Sequence, residues 1–198
     1  LGGRGCTGRF DETVSVYDAV KASGYFSEVT AAYCAGFDGA DDAELEKAVK
    51  TAENSDVAVL LIGEHQDMSG EAASRTDISL PAAQKKLFDK IVKTGKPVIT
   101  VIFSGRPLLL SETAERSEAL IQAWFPGTEG GRAVADLITG KTEPQGRLTM
   151  SFPRNMGQIP LYYNAFSTGR PVTGENPAER YLSKYIDSPN TPLYPFGY

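Results

Sequence analysis

Residues 56–81 read DVAVLLIGEHQDMSGEAASRTDISLP. Asp56 to Ile62, DVAVLLI, hold a continuous apolar run too short for a core helix and rich in β-branched side chains. Such a run suits a strand buried on both faces, the kind found in parallel sheets. A long connection follows, Gly63 to Pro81, with two glutamates, two aspartates, an arginine and the only histidine of the chain. Strand-to-helix connections in α/β units usually take a few residues, and long ones tend to carry function.

The same alternation extends in both directions. Upstream, Asp11 to Ser23 reads as a helix with Val14, Tyr17 and Val20 on one face, ended by Gly24, and Glu28 to Cys34 reads as a short strand. Asp41 and Glu44 have the spacing of a capping box. Leu45, Ala48, Val49 and Ala52 then recur at helical spacing. Downstream, Pro81 suits a first helical turn, with Leu87, Ile91 and Val92 as the buried face and Gly95 as the stop. Pro97 to Phe103 is a second buried strand, Leu109 to Glu115 a short helix and Ala119 to Trp124 a third strand. Gly130 to Ile138 is a helix closed by Gly140. Repeated β–α units predict an α/β fold, a mostly parallel sheet sandwiched by helices. Arg147 to Phe152, RLTMSF, reads as one more strand, and residues 155–198 as a long irregular arm of the same domain.

Composition narrows the function classes. A chain of 198 residues is long enough for one domain with a real core. A net charge of −5, with no cluster of Lys and Arg, offers nothing to a phosphate backbone. No run approaches the roughly 18 apolar residues of a membrane span. The chain opens on Leu1 and closes on PLYPFGY, so both ends read as cut from a longer polypeptide, and residues 1–198 as a single excised domain. No signal peptide opens it, which for a cut chain carries no information about compartment. Cys6 and Cys34 fit two free thiols, the favoured reading, or one bridge, and their spacing matches no metal or redox motif.

Ligands of open parallel sheets bind at the carboxyl ends of the strands. Three segments leave that edge: the charged loop, SGRP after PVITVIF, and FPGTEGG after ALIQAW. None is a GxGxxG or GxxxxGK[ST] phosphate loop. Ser104 lacks the first glycine of a nucleophile elbow, since Ile102 stands there. His65 has no second histidine or cysteine nearby, so no metal is expected, and it reads as a hydrogen-bonded structural residue. Carboxylate chemistry is left, with Glu64, Asp67, Glu71 and Asp77 as candidates. Glycines in SGRP and GTEGG read as tight turns, and Trp124 as core.

GEHQDMSGEAASRTDISLP, FSGRPLLL, AWFPGTEGGRAVADLITGKTEPQGRLTMSFPRNMGQIPLYY, STGRP and LYPFGY together resemble the C-terminal α/β domain of glycoside hydrolase family 3, of the bacterial periplasmic β-glucosidase type. The likeness covers the whole chain; its start, LGGRGCTGRF, lacks the tryptophan found near Cys6 in such domains. The resemblance implies a retaining β-glucosidase acting on oligosaccharides or aryl β-glucosides without cofactor or metal, in the periplasm or outside the cell. Its nucleophilic aspartate would sit on a preceding barrel domain, the partner of this one, and late-arm aromatics would face that partner. Family members carry the acid/base in a pattern like EGxDR, four residues before an arginine. Glu71, four residues before Arg75, matches that position. Glu64, at the loop stem beside His65, is the competing acid and otherwise supports the loop. Arg75 and Asp77 are expected to pair and pin the loop's return. The rival readings are a non-catalytic carbohydrate-binding or structural domain and, on fold alone, a flavodoxin-like nucleotide binder.

Overall fold

Three apolar runs form one parallel sheet: β1 (Ala58–Gly63), β2 (Val98–Phe103) and β3 (Ala119–Gln122), in that spatial order. The computed structural model describes residues 10–34, 36–37, 39–167, 169–172 and 180–198. Ala58 pairs with Val98 and the register runs to Gly63 with Phe103; Ile99 pairs with Ala119 through Ile102 with Gln122. Alternate side chains enter two different cores. Ala58, Leu60, Ile62, Val98 and Ile102 join one cluster, while Val59, Val101, Phe103 and Ile121 belong to the other.

Helices cover both faces. α2 (Asp42–Glu53) and α3 (Ala82–Val92) bury Leu45, Ala48, Leu87, Phe88 and Ile91 in the first cluster. α1 (Val16–Ser23) and α5 (Gly130–Ile138) bury Val16, Val20, Val134 and Ala135 in the second. Each fully buried Val, Leu, Ile or Phe side chain among these contributes about 1.5–3 kcal/mol. Gly131 permits the α1–α5 approach, since a Cβ there would lie 2.0 Å from the Val14 carbonyl oxygen. A short helix, α4 (Ser111–Arg116), leads into β3.

Several boundaries differ from expectation. α1 begins at Val16, because the Ser15 hydroxyl caps it by accepting the Asp18 N–H at 3.0 Å. Phe10–Glu12 form a separate 3-10 turn. The strand expected over 28–34 is absent: no described residue pairs with it, and an extended segment without a ladder partner is not a strand. β3 stops at Gln122, and Trp124, at φ +54°, turns the chain away and packs on Phe152 with centroids 5.8 Å apart. RLTMSF is not a strand either. It makes one bridge, Phe152 to Tyr194, plus bonds from the Leu148 N–H to the Tyr198 carbonyl and from the Gly197 N–H to that of Leu148. Pro153 and Pro195 flank the bridge, and without an N–H proline cannot extend a ladder.

Beyond residue 155 the described residues hold only a 3-10 turn, Met156–Gln158. Buried Gln158 anchors this arm by accepting the Arg154 N–H at 2.7 Å and donating to the Pro189 carbonyl at 2.9 Å. Farther out, Tyr162, Tyr163, Phe166 and Tyr181 stand exposed. Cys34 has no bridging partner among the described residues, burial pushes its thiol pKa up, and Cys6 lies outside those residues.

An ion-pair network ties α3 to α4. Asp89 receives Lys85 at 2.6 Å and Arg116 at 2.7 Å, and Glu112 also contacts both cations. Burial alone would raise the Asp89 pKa, but the hydrogen bonds from Lys85 and Arg116 outweigh it, so the carboxyl titrates below its usual 3.8. Glu112 is lowered from 4.5, chiefly by its hydrogen bond from Lys85. Depressed folded-state values stabilise fully above the unfolded values and lose the contribution as pH falls through the folded ones. Wild type and Asp89→Asn should therefore differ at pH 6 by about 1 kcal/mol, in line with exposed pairs. Melting curves should converge as the pH drops well below 3.8; a constant gap would contradict the network's role.

Candidate active site

The loops following β1, β2 and β3 rise from the carboxyl edge of the sheet. Those after β1 and β3, with the end of β2, border an open cleft of about 390 Å³ with Glu64, His65, Phe37, Phe103, Phe125 and Gly127 in its walls. Gly63 ends β1 at φ +148°, where a Cβ would stand 1.9 Å from the Phe103 carbonyl oxygen. Glycine thus lets β1 close on β2, and the Glu64 N–H bonds that same oxygen at 2.8 Å.

From this stem the loop climbs through a 3-10 turn, Gln66–Met68, which His65 caps by accepting the Asp67 N–H through Nδ1 at 3.3 Å. The His65 ring stands edge-on to Phe37, centroids 5.1 Å apart. Asp67 is exposed, with Oδ2 3.2 Å from His65 Nδ1. That contact is an ion pair only when the imidazole is protonated and no longer accepts the Asp67 N–H. Gly70 and Ala73 bridge across the top, leaving Glu71 and Ala72 at the tip. Glu71 is exposed, and Ala72 sits at φ +55°, a backbone that costs an L-residue about 1–2 kcal/mol.

The return limb corrects one expectation. Arg75 does not pair with Asp77; it turns inward, and its Nη1 donates to Glu64 Oε1 at 2.8 Å. A buried carboxylate needs a cation far more than an exposed one does, and the Glu64 side chain is 0% exposed. Asp77 instead accepts the Ser79 N–H at 2.8 Å, the main reason its pKa is lowered. The Leu109 N–H then binds the Ile78 carbonyl at 3.0 Å.

A second cation reaches Glu64 from the loop after β2. Arg106 Nε lies 3.1 Å from Oε1 and 3.3 Å from Oε2, and the Gly105 N–H is also 3.3 Å from Oε2. Arg106 Nη2 donates to the Met68 carbonyl at 2.6 Å and to Ser69 Oγ at 3.0 Å. The site is therefore a buried carboxylate gripped by two arginines, with an exposed carboxylate at the tip of the loop they hold. The inner carboxylate is engaged in charge pairing, while the outer one faces solvent. Among the described residues no group of three or more His, Cys, Asp and Glu is placed to hold a metal.

The sequence model of the glycosyl hydrolase family 3 C-terminal domain matches residues 1–198. The chain belongs to this family. Among curated relatives of this family 3 domain, the periplasmic beta-glucosidase of Salmonella typhimurium is 47% identical over 156 residues, covering 79% of this chain and 20% of the relative. A beta-xylosidase of Formosa agariphila is 38% identical, over 93% of this chain and 25% of that protein. The crystal structure of beta-glucosidase from Listeria innocua in complex with isofagomine superposes with a TM-score of 0.93 at 43% identity, covering 100% of this chain and 27% of that one. The family 3 domain thus spans 20–27% of the length of these relatives.

Reading the sequence misses Ser69, and it places Arg106 on the rim without its carboxylate partner. SGRP carries only a turn signal, and Arg106 meets its carboxylate across 42 positions of chain, beyond any local spacing rule.

Proposed function

We propose that residues 1–198 are one domain of a longer retaining β-glucosidase and that Glu71 is its general acid/base. The observation that carries this reading is Glu71 itself, an exposed carboxyl at the tip of a loop whose stem is clamped to the carboxyl edge of the sheet. Retaining hydrolysis needs two carboxyl groups about 5–5.5 Å apart, one nucleophilic and one proton-donating. A tip position lets Glu71 reach toward a nucleophile held by another domain, the preceding barrel of the same parent chain. First, Glu71 protonates the departing glycosidic oxygen while that nucleophile takes the anomeric carbon. Then, as carboxylate, it removes a proton from the water that releases the sugar. This sequence runs on protein groups alone, without metal or cofactor.

Glu64 serves a different purpose in this reading. Its carboxylate is sealed from solvent and already accepts from Arg75, Arg106 and Gly105, so it holds the loop and leaves proton transfer to Glu71. His65 and Asp77 shape the two limbs through their backbone caps. The exposed tyrosines and Phe166 of the late arm supply apolar surface toward the barrel. Named relatives that are β-glucosidases, one of them periplasmic, support glucosides as substrates and a periplasmic location.

The test is to assay the 198-residue chain alone and within its full-length parent on aryl β-glucosides. Only the full-length protein should turn over, because an acid without its nucleophile cannot form the glycosyl-enzyme. Hydrolysis by the chain alone would overturn the shared site. Full activity of a full-length Glu71→Ala variant would make this a non-catalytic module.

A further inference from the structure

We infer that Arg106 is a positioning residue for the reaction: it sets the height and angle of the loop that presents Glu71. The inference rests on Glu71 being the acid/base. Of the side chains that grip Glu64, Arg75 belongs to the loop itself, so its pair with Glu64 only closes the loop on its own stem. Arg106 comes from the loop just after β2 and therefore fastens the charged loop to the sheet edge. Its guanidinium contacts Glu64 with Nε and the Met68 carbonyl and Ser69 hydroxyl with Nη2. Ser69 stands two residues before Glu71. The apposition is tight, because a Cβ on Gly105 would lie 2.5 Å from Ser69 Oγ.

Arg106 is itself held. Its carbonyl accepts the hydroxyl of buried Ser104 at 2.8 Å, and Ser104 Oγ in turn accepts from Gln122 Nε2 at 3.0 Å. Pro107 and Leu108 follow, both buried. A chain of contacts therefore runs from the end of β3 through Ser104 and Arg106 to the ascending limb of the loop. A planar guanidinium can serve carboxylate, carbonyl and hydroxyl at once, which a lysine ammonium on its flexible stem cannot do in the same geometry. Loss of Arg106 leaves the Glu64–Arg75 pair able to form, yet frees the limb leading to Glu71.

Misplacing a reacting group by about 1 Å can cost ~10²-fold in rate. In the full-length protein, Arg106→Ala should lower kcat on phenyl β-glucoside, whose leaving group needs a proton, by roughly 10–100-fold. On dinitrophenyl β-glucoside, whose leaving group departs unassisted, glycosylation of the enzyme should fall far less, so kcat/KM for that substrate should change little. Arg106→Lys should recover part of the loss, and Ser69→Ala, which removes one hydrogen bond, should give a small shift of the same kind. A merely structural role slows both substrates alike, because it reduces the amount of folded enzyme.

Glu71→Ala is measured beside them. If Glu71→Ala shows the leaving-group dependence while Arg106→Ala slows both substrates equally or neither, the positioning role is overturned and the acid assignment stands. If Glu71→Ala lacks it, both readings fall. Should Arg106→Ala not fold, Arg106→Lys and Ser69→Ala decide on the same substrates: selective loss on phenyl glucoside supports the role, and equal loss or none rejects it.

Discussion

Glu71→Ala in the full-length protein is expected to slow hydrolysis of phenyl β-glucoside by ~10²–10⁴-fold, the usual worth of a positioned general acid. The effect depends on the leaving group. Phenolate is a strong base and leaves slowly unless its oxygen is protonated as the bond breaks, whereas dinitrophenolate leaves without help. With the activated substrate the first step therefore survives, and the second becomes limiting because no base deprotonates the attacking water. Azide attacks without losing a proton, so added azide should restore turnover and give a glycosyl azide. Pre-steady-state bursts with the activated substrate, read alongside product analysis, check both halves of this expectation. Azide rescue by Glu64→Ala together with none by Glu71→Ala would move the acid to the loop stem.

Glu64→Ala is expected to act on stability first. Its side chain is wholly buried between Arg75 and Arg106, which are 25% and 20% exposed. Removing one partner of a buried charge pair typically costs about 3–5 kcal/mol, because the remaining charges lose their counter-charge where water cannot replace it. Here two guanidinium groups and the Gly105 N–H lose an acceptor together. For a domain of this size 1 kcal/mol corresponds to roughly 2–4 °C, so the melting midpoint should fall by about 10 °C. Glu64→Gln tests whether shape or charge matters. It keeps the volume but turns an amide NH2 toward a cation, so it should recover little of the loss. A midpoint unchanged in both variants would show that the buried cluster adds nothing net, as happens when desolvation matches Coulomb attraction.

Both outcomes turn on groups that differ in how far sequence reading reaches them. Val98 to Phe103 and Ala58 to Gly63 lie in apolar runs that only a strand between two helical layers can bury, so their strand identity and parallel pairing follow from composition and length, while their register does not. Asp41 sits one residue before α2, and Gly24 stands just past α1 at φ +64°, a left-handed backbone that favours glycine, so those ends are legible too. Glu28 to Cys34 misleads because β-branched and aromatic residues favour extension, while strand identity requires a neighbour that the described residues do not provide. RLTMSF fails for a related reason: prolines on both sides of its contact limit pairing to a single bridge.

The loop shows the same divide. That Gly63 to Pro81 carries ionisable groups at the carboxyl edge of a parallel sheet is written in residue order, since strand direction and connection length are local properties. Glu71, four residues before Arg75, is singled out by motif likeness alone, and the Gly70–Ala73 turn leaves it at an exposed tip. The partner of Arg75 is not local. Asp77 is two residues away and Glu64 eleven, yet the arginine chooses Glu64. Burial reverses the order of preference, because an uncompensated carboxylate under the sheet edge costs far more than one in water. Arg106 joins the same carboxylate only because β1 and β2 lie side by side in register, bringing their ends within hydrogen-bond range. Periodicity and turn chemistry therefore suffice to lay out strands, helices and the charged loop, while the pairing of charges waits on packing, where distance and exclusion of water select the partners.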